Sequence, residues 1–351
     1  MKKINFGNRE IYQFGDPYII AEIGANHNGE MDLAKNMIDA AKKCGADCVK
    51  FQSWTPESLV SKSEYEANEV YTDSKKKHFG SLKEMIEKYY LNEQEHQELS
   101  DYCKEINIDF ASTPFSKEEG ELLANLNVPF IKIASMDVNN TPLLEEIAKL
   151  KKPTVISTGM ASLKEITEAV EVFYDNGNKD LALLHCISIY PPNFEDINLN
   201  NIKMLHDTFG VPVGFSDHSI GFSIPLASVA LGACIIEKHF TLDKDLPGWD
   251  HEISADPSEL ATICEESKNI ITSLGSYRRK LSEAEILKRD LFRRSLVFRT
   301  ELKKGEVVRM EHLISKRPGK FHPPNEIKNF IGRILKNDVE KDTILQMNLF
   351  E

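Results

Sequence analysis

From about residue 18 to about residue 275, a run rich in Val, Ile, Phe and Ala is followed by a polar cluster and then a helix-like stretch, eight times in succession. The apolar runs are Tyr18–Ala25, Asp47–Trp54, Asp109–Phe115, Phe130–Asp137, Thr154–Met160, Leu181–Ser188, Val211–Ser219 and Cys234–Thr241. Between them, Met31–Cys44, Ser81–Ile106, Thr141–Leu150, Ser162–Asn176 and Pro257–Leu274 carry helical periodicity. Strands joined through helices lie parallel in one sheet. Eight such units, mostly about 21 to 30 residues apart, predict a closed (β/α)8 TIM barrel of α/β class rather than an open doubly wound sheet. The stretch Gly24-Ala25-Asn26-His27-Asn28-Gly29 after the first run does not match the G-x-G-x-x-G loop of a dinucleotide-binding fold.

Beyond Ser276 the pattern breaks into short strand-like pieces, Arg294–Arg299, Glu306–Arg309 and Ile344–Met347, with turns at Lys304-Gly305 and Pro318-Gly319. The expected organisation is a barrel over residues 1–276, a linker over 277–291 and a small β-rich domain over 292–351. Ile4–Gln13 reads as a hairpin capping the barrel bottom. The long interval from Thr55 to Gly80, with Tyr65, Tyr71, Lys75, Lys76 and Lys77, reads as a loop over the barrel mouth that acts as a lid.

Composition narrows the function. The chain has 351 residues, 41% of them hydrophobic, and a net charge of −12, which excludes disorder. No Lys/Arg-rich block is present to neutralise a run of phosphates, so nucleic acid is not an expected partner. The longest nearly apolar stretch, Ile224–Ile236, contains Pro225, Ser228 and Gly232 and is shorter than the ~20 residues a bilayer requires, so no membrane association is expected. The N-terminal Met1-Lys2-Lys3-Ile4-Asn5-Phe6 has no apolar stretch typical of a secretory signal, and a cytoplasmic location is expected. Cys44, Cys48, Cys103, Cys186, Cys234 and Cys264 form no C-x-x-C pair and are expected as reduced core thiols.

In such a barrel the chemistry sits at the C-terminal ends of the strands. Nearly every apolar run here ends in polar residues: Glu22 with Asn26 and His27, Lys50 and Gln52, Thr113, Lys132 and Ser135, Ser157, His185 with Ser188 and Tyr190, Ser216 with Asp217 and His218, and Glu237 with Lys238 and His239. Residues two apart on a strand face the same way, so Lys50 with Gln52, Ser216 with His218 and Glu237 with His239 are same-side pairs. His218 and His239, on neighbouring strands, suit a divalent cation, with Mn²⁺ expected and Mg²⁺ or Co²⁺ as alternatives. Lys50 and Lys132 with the hydroxyls of Thr113, Ser135, Ser157 and Ser216 suit a small phosphorylated or carboxylated ligand. Trp249 and Asp250, after the last run, suit polyol recognition, although Trp249 reads equally well as packing.

Taken in order, Ala21-Glu22-Ile23-Gly24-Ala25-Asn26-His27-Asn28-Gly29, Val49-Lys50-Phe51-Gln52-Ser53, Ser112-Thr113-Pro114-Phe115, Ser157-Thr158-Gly159-Met160, Leu184-His185-Cys186 with Tyr190-Pro191, Gly214-Phe215-Ser216-Asp217-His218, Glu237-Lys238-His239-Phe240-Thr241 and Lys316-Arg317-Pro318-Gly319 resemble the N-acetylneuraminate (sialic acid) synthase family over almost the whole chain. The resemblance implies a barrel followed by an antifreeze-like SAF domain, and a domain-swapped homodimer. It implies condensation of phosphoenolpyruvate with the open-chain aldehyde of an N-acetylated hexosamine, giving a nine-carbon 2-keto acid and phosphate.

By the same resemblance, Thr113, Lys132, Ser135, Ser157, Ser188 and Ser216 bind phosphoenolpyruvate, and His218 and His239 hold the metal. Gln52, Tyr190 and Asp250, with Arg317 contributed by the second protomer, bind the sugar. Glu22, Lys50 and Glu237 are the expected catalytic groups, with either carboxylate a candidate to activate water. Ser188 stands where sialic acid synthases commonly carry Asn, and Val49-Lys50-Phe51-Gln52-Ser53 resembles the legionaminic and pseudaminic acid synthases, so the sugar is N-acetylmannosamine or a 2,4-diacetamido-2,4,6-trideoxyhexose. A barrel hydrolase is disfavoured because the first strand lacks an H-x-H pair. A non-catalytic carbohydrate-binding protein is disfavoured by the retained histidines, Lys50, Lys132 and Arg317.

Overall fold

The computed structural model describes residues 2–67 and 81–351, so Tyr71, Lys75, Lys76 and Lys77 of the expected mouth loop lie outside the described residues. The chain divides into two compact units, Met1–Gly275 and Ser276–Glu351.

The first unit opens with a hairpin, β1 (Lys3–Phe6) and β2 (Arg9–Tyr12), followed by eight parallel strands: β3 (Tyr18–Gly24), β4 (Cys48–Ser53), β5 (Asp109–Pro114), β6 (Ile131–Ile133), β7 (Thr154–Ser157), β8 (Leu181–Cys186), β9 (Val213–Asp217) and β10 (Ile235–His239). Their order, β5-β4-β3-β10-β9-β8-β7-β6, is that of a nearly closed TIM-like barrel with its seam between β5 and β6. The strands read as unbroken apolar runs because both faces are covered, as parallel sheets require. Outward-facing residues such as Ile19, Val49, Ile131 and Phe215 pack against the helices.

The inward file explains where the site lies. Tyr18, Cys48, Ala111, Phe130, Val155, Ala182, Leu184 and Ile235 form an apolar layer low in the barrel, and Ile4, Phe6 and Ile11 of the hairpin join it from below. The Phe6 ring lies 4.5 Å from that of Phe130, and burying each of these hairpin side chains contributes about 1.5–3 kcal/mol. Further along the pleat, towards the C-terminal ends of the strands, the same file becomes Glu22, Lys50, Thr113, Lys132, Ser157, Cys186, Ser216 and Glu237. Gly214 leaves room inside: a Cβ there would lie 2.7 Å from Leu184 Cδ2 and collide with the Ile235 backbone.

Several local expectations shift. Ser81–Ile106 is two helices, Leu82–Lys88 and Glu93–Ile106, because Asn92 accepts from the Glu95 N–H and starts a new helix with a capping box. The Phe130–Asp137 run is a strand only over Ile131–Ile133, and Ser135–Asp137 turns as a 3-10 helix. The stretch read as a linker contains most of a helix, Glu283–Phe292, capped by Ser282.

In the second unit, β11 (Ser295–Phe298) pairs antiparallel with β12 (Leu313–Lys316). Glu306–Arg309 and Ile344–Met347, expected as strands, make only isolated bridges, Val307 with Ile334 and Val297 with Ile344. The cause is geometric. Turns at Gly305 and Asp342, both at positive φ, bend the chain tightly around a small core of Leu296, Phe298, Leu313, Phe330, Leu345 and Phe350. All six cysteines are free thiols. Among the described residues no helix is long and apolar enough to cross a membrane.

Candidate active site

Parallel pairing brings the polar strand ends together. Across the sheet Glu22 lies opposite Lys50 on one side and His239 on the other, Ser216 opposite Glu237, and Gln52 opposite Thr113. They open onto a cavity of about 910 Å³ at the C-terminal end of the barrel. Of the residues singled out from the sequence, Glu22, Lys50, Gln52, Thr113, Lys132, Ser135, Ser157, Ser188, Tyr190, Ser216, His218, Glu237, His239 and Asp250 all line it. Arg317 belongs to the second unit, where its guanidinium lies 4.9 Å from the centre of the Phe292 ring.

The floor is a chain of buried charges. Lys50 Nζ is 2.6 Å from Glu22 Oε2, donates to Thr113 Oγ1 at 3.1 Å and lies 3.7 Å from Glu237 Oε2. Lys132 Nζ lies 3.7 Å from Glu237 Oε1 and donates to the Ile133 carbonyl at 3.1 Å. Ser216 donates to Glu237 Oε1 at 2.9 Å, and Gln52 Nε2 to Glu22 Oε1 at 3.2 Å.

These surroundings separate the two carboxylates. Burial raises the pKa of Glu22, and the attraction of Lys50 only partly offsets it. Burial acts the same way on Glu237, but Lys132 and Lys50 outweigh it and leave Glu237 below the ordinary carboxylate range. Burial also lowers Lys132, against the pull of Glu237, whereas Glu22 and Glu237 together overcome the burial of Lys50 and raise it. Two carboxylates pushed apart in this way suit distinct acid–base and electrostatic roles.

The two histidines stand side by side, ring centres 5.5 Å apart. His218 Nδ1 donates to the Ile187 carbonyl at 2.7 Å, and the Tyr190 ring stacks on it at 4.0 Å; burial lowers the pKa of His218, but Cys186 and the Ile187 carbonyl outweigh burial and leave it raised. Burial holds His239 well below the usual histidine pKa, hence neutral. Its Nδ1 has no hydrogen-bond partner among the described residues and lies 3.6 Å from Asp250 Oδ2. Burial pushes Asp250 up to about 7. Two adjacent imidazoles, which ligate a metal through a deprotonated ring nitrogen, with a carboxyl nearby fit a divalent cation that keeps open positions. Among the described residues there is no cluster of three or more His, Cys, Asp or Glu arranged to hold a metal.

The hydroxyl side is also open to a ligand. Ser135 Oγ accepts from the Gly159 N–H at 3.0 Å, and Ser157 Oγ has no hydrogen-bond partner among the described residues. A Cβ on Gly159 would collide with Ser188 Oγ and lie 2.9 Å from Ser135 Oγ, so only glycine lets these two hydroxyls converge.

Sequence reasoning missed an apolar wall. Trp54, Leu59, Val60, Met85 and Phe115 line the cavity, and Trp249, read equally as packing, lines it with them. Trp54 was within reach, since it directly follows the β4 strand end. Met85 had no signal, because its helix reaches the mouth only through the fold.

Comparison with known proteins places the chain in a family. Residues 37–279 match the model of the NeuB family, and residues 293–351 that of the SAF domain. The chain is 41% identical over 336 residues to the N,N'-diacetyllegionaminic acid synthase of Legionella pneumophila, covering 93% of each chain. It is 36% identical over 332 residues to the N-acetylneuraminate-9-phosphate synthase of Homo sapiens, covering 94% of this chain and 91% of the relative. The crystal structure of the N-acetylneuraminic acid synthetase from Leptospira borgpetersenii, in complex with citrate, superposes with a TM-score of 0.72 at 36% identity, over 82% of this chain and 95% of that one. The chain therefore belongs to the NeuB family of sialic-acid-type synthases and carries a SAF domain as its C-terminal element.

Proposed function

We propose that this protein condenses phosphoenolpyruvate with the open-chain aldehyde of an N-acetylated hexosamine, giving a nine-carbon 2-keto acid and inorganic phosphate. The observation that carries the reading is the buried relay Glu22–Lys50–Glu237–Lys132 beside the His218–His239 pair. Lys50 and Lys132, with Thr113, Ser135, Ser157, Ser188 and Ser216, hold the phosphate and carboxylate of phosphoenolpyruvate. Carbon 3 of the enol attacks the aldehyde carbon, and the aldehyde oxygen becomes a hydroxyl. A divalent cation held by His218 and His239, Mn²⁺ foremost, would supply Lewis-acid polarisation of that oxygen. Water then adds at carbon 2, and the carbon–oxygen bond to phosphate breaks to leave the ketone. Glu22, with its raised pKa, is the better group to take the proton of that water, while Glu237 stays charged and stabilises positive charge at carbon 2.

Gln52, Tyr190 and Asp250 face the sugar. The wall of Trp54, Leu59, Val60, Met85, Phe115 and Trp249 favours a 2,4-diacetamido-2,4,6-trideoxyhexose, the precursor of legionaminic or pseudaminic acid, over N-acetylmannosamine. Its second acetamido methyl and its deoxygenated carbon 6 present apolar surface that such a wall buries favourably. The higher identity to the Legionella enzyme supports the same branch. The working form is a domain-swapped homodimer in which Arg317 of the partner subunit completes the sugar site. Exposed Met136, Met160, Tyr190 and Ile220 at the cavity rim favour such cover.

Phosphate release from phosphoenolpyruvate with Mn²⁺ tests the reading, using N-acetylmannosamine, 2,4-diacetamido-2,4,6-trideoxymannose and its altrose isomer in parallel. Release that depends on one sugar supports the condensation and names the branch. No release with any of them removes it.

A further inference from the structure

The carboxylate of Glu119 joins the two loops that follow the paired strands β4 and β5, beyond the last pair of their register, Ser53 with Pro114. Ser116 and Glu119 form a capping box at the start of the helix Lys117–Asn125, and Glu119 Oε2 accepts the N–H groups of Ser116 at 2.9 Å and of Phe115 at 2.7 Å. A capping box uses only one carboxylate oxygen. The other, Oε1, turns to the loop after β4, where it accepts the Thr55 N–H at 3.0 Å and the Ser58 hydroxyl at 2.6 Å. Glu119 is 6% exposed, so four donors converge on one buried anion. Such charge-assisted bonds are roughly twice as strong as neutral ones.

What these bonds fasten is the apolar wall. Trp54 precedes Thr55, Leu59 and Val60 follow Ser58, and Phe115 is itself a donor; all four line the cavity, whereas Glu119 does not. The helix between them, Pro56–Leu59, has four residues, too few to hold its own shape. We propose that Glu119 is a positioning residue that clamps the Trp54–Val60 segment against Phe115 and thereby sets the affinity of the cavity for the sugar. The second clause rests on the function proposed above; the clamp itself does not.

Glu119→Gln separates the two halves of the role. The amide keeps its oxygen toward the Phe115 and Ser116 N–H groups, so the helix cap survives, and turns its NH₂ toward the Thr55 N–H, where it cannot accept. Two readouts decide, both on the full-length protein: hydrogen–deuterium exchange of the peptide spanning Trp54–Val60, and KM for sugar and for phosphoenolpyruvate. The expected result is faster exchange over Trp54–Val60 with β5 unchanged, and a sugar KM raised about tenfold with that of phosphoenolpyruvate within about twofold, the size of one lost charged hydrogen bond. Ser58→Ala, which removes one donor to Glu119 and leaves the Ser116–Glu119 cap intact while also breaking the Thr55–Ser58 box of its own short helix, should shift both readouts in the same direction. Unchanged exchange over Trp54–Val60 overturns the clamp. Faster exchange with equal rises in both KM values overturns its role in sugar affinity. Should the wild-type enzyme turn over no sugar, the function proposed above fails, and the exchange result still decides the clamp.

Discussion

Lys238 Nζ lies 2.7 Å from Asp217 Oδ2, with both side chains at zero exposure, immediately behind the two site histidines. Lys238 also donates to the Ser219 carbonyl, and Asp217 accepts the Ser219 N–H at 2.9 Å. Asp217 and Lys238 face each other in the β9–β10 register, so the pair ties the outer faces of the strands whose inner faces present His218 and His239.

Lys238→Met leaves Asp217 buried without its counter-charge. Breaking one side of a buried pair costs about 3–5 kcal/mol, whereas replacing both partners is far milder. Urea denaturation should show a loss of that size for Lys238→Met and recovery of most of it in Asp217→Asn with Lys238→Met. A single variant as stable as wild type would remove the structural role of the pair.

His239→Ala should abolish turnover and weaken Mn²⁺ binding while leaving the circular dichroism spectrum unchanged, because its Nδ1 makes no hydrogen bond among the described residues. Calorimetric titration of Mn²⁺ into the variant and the wild type separates the two effects. Equal affinity in both would sink the metal assignment.

Gly159→Ala should raise the KM for phosphoenolpyruvate with little change in that for the sugar. The added methyl must push Ser188 aside and crowd Ser135, two hydroxyls on the proposed phosphoenolpyruvate side. Overpacking of this kind costs typically about 1–3 kcal/mol, or roughly tenfold and more in binding. Steady-state kinetics with each substrate varied in turn checks it, and an unchanged phosphoenolpyruvate KM contradicts it.

Arg317→Ala should lower affinity for the sugar more than for phosphoenolpyruvate, as the place proposed for it in the sugar site requires. Equal losses for both substrates would count against Arg317 as a sugar ligand.

Acidification should destabilise the fold through His27. Burial lowers its pKa from 6.5 to about 4, and its Nδ1 accepts the Gly29 N–H at 3.1 Å. Above pH 6.5 the ring is neutral in folded and unfolded chains alike. Between 6.5 and 4 the unfolded chain takes up a proton that the folded one refuses, so stability falls as pH falls, by about 2 kcal/mol at pH 5 from this residue. Urea midpoints at pH 7 and pH 5 should therefore differ less for His27→Gln than for wild type. Identical pH dependence in both would falsify the assignment.

Much of this site is legible in the sequence because a barrel strand is a one-dimensional object with a fixed period. An apolar run that ends in a polar residue states both that the strand is buried and where it reaches the mouth, which is how Glu22, Lys50, Thr113, Lys132, Ser157, Ser216 and Glu237 could be read in advance. The helices Met31–Cys44 and Pro257–Leu274 were readable end to end for a similar reason, with periodicity along the chain and a clear stop at Gly45 and Gly275.

What the sequence by itself determined is the order of eight strand–helix units, the inward file of each strand and the polar tips that file ends in, since all three follow from side-chain alternation within a few residues. Only the tertiary structure decided which tips touch, that burial raises Glu22 while Lys132 and Lys50 hold Glu237 low, and that Glu119 binds a loop some sixty residues earlier in the chain. Those are properties of distance in space. Burial, pairing and desolvation exist only once the sheet has curled and its loops have met over the mouth.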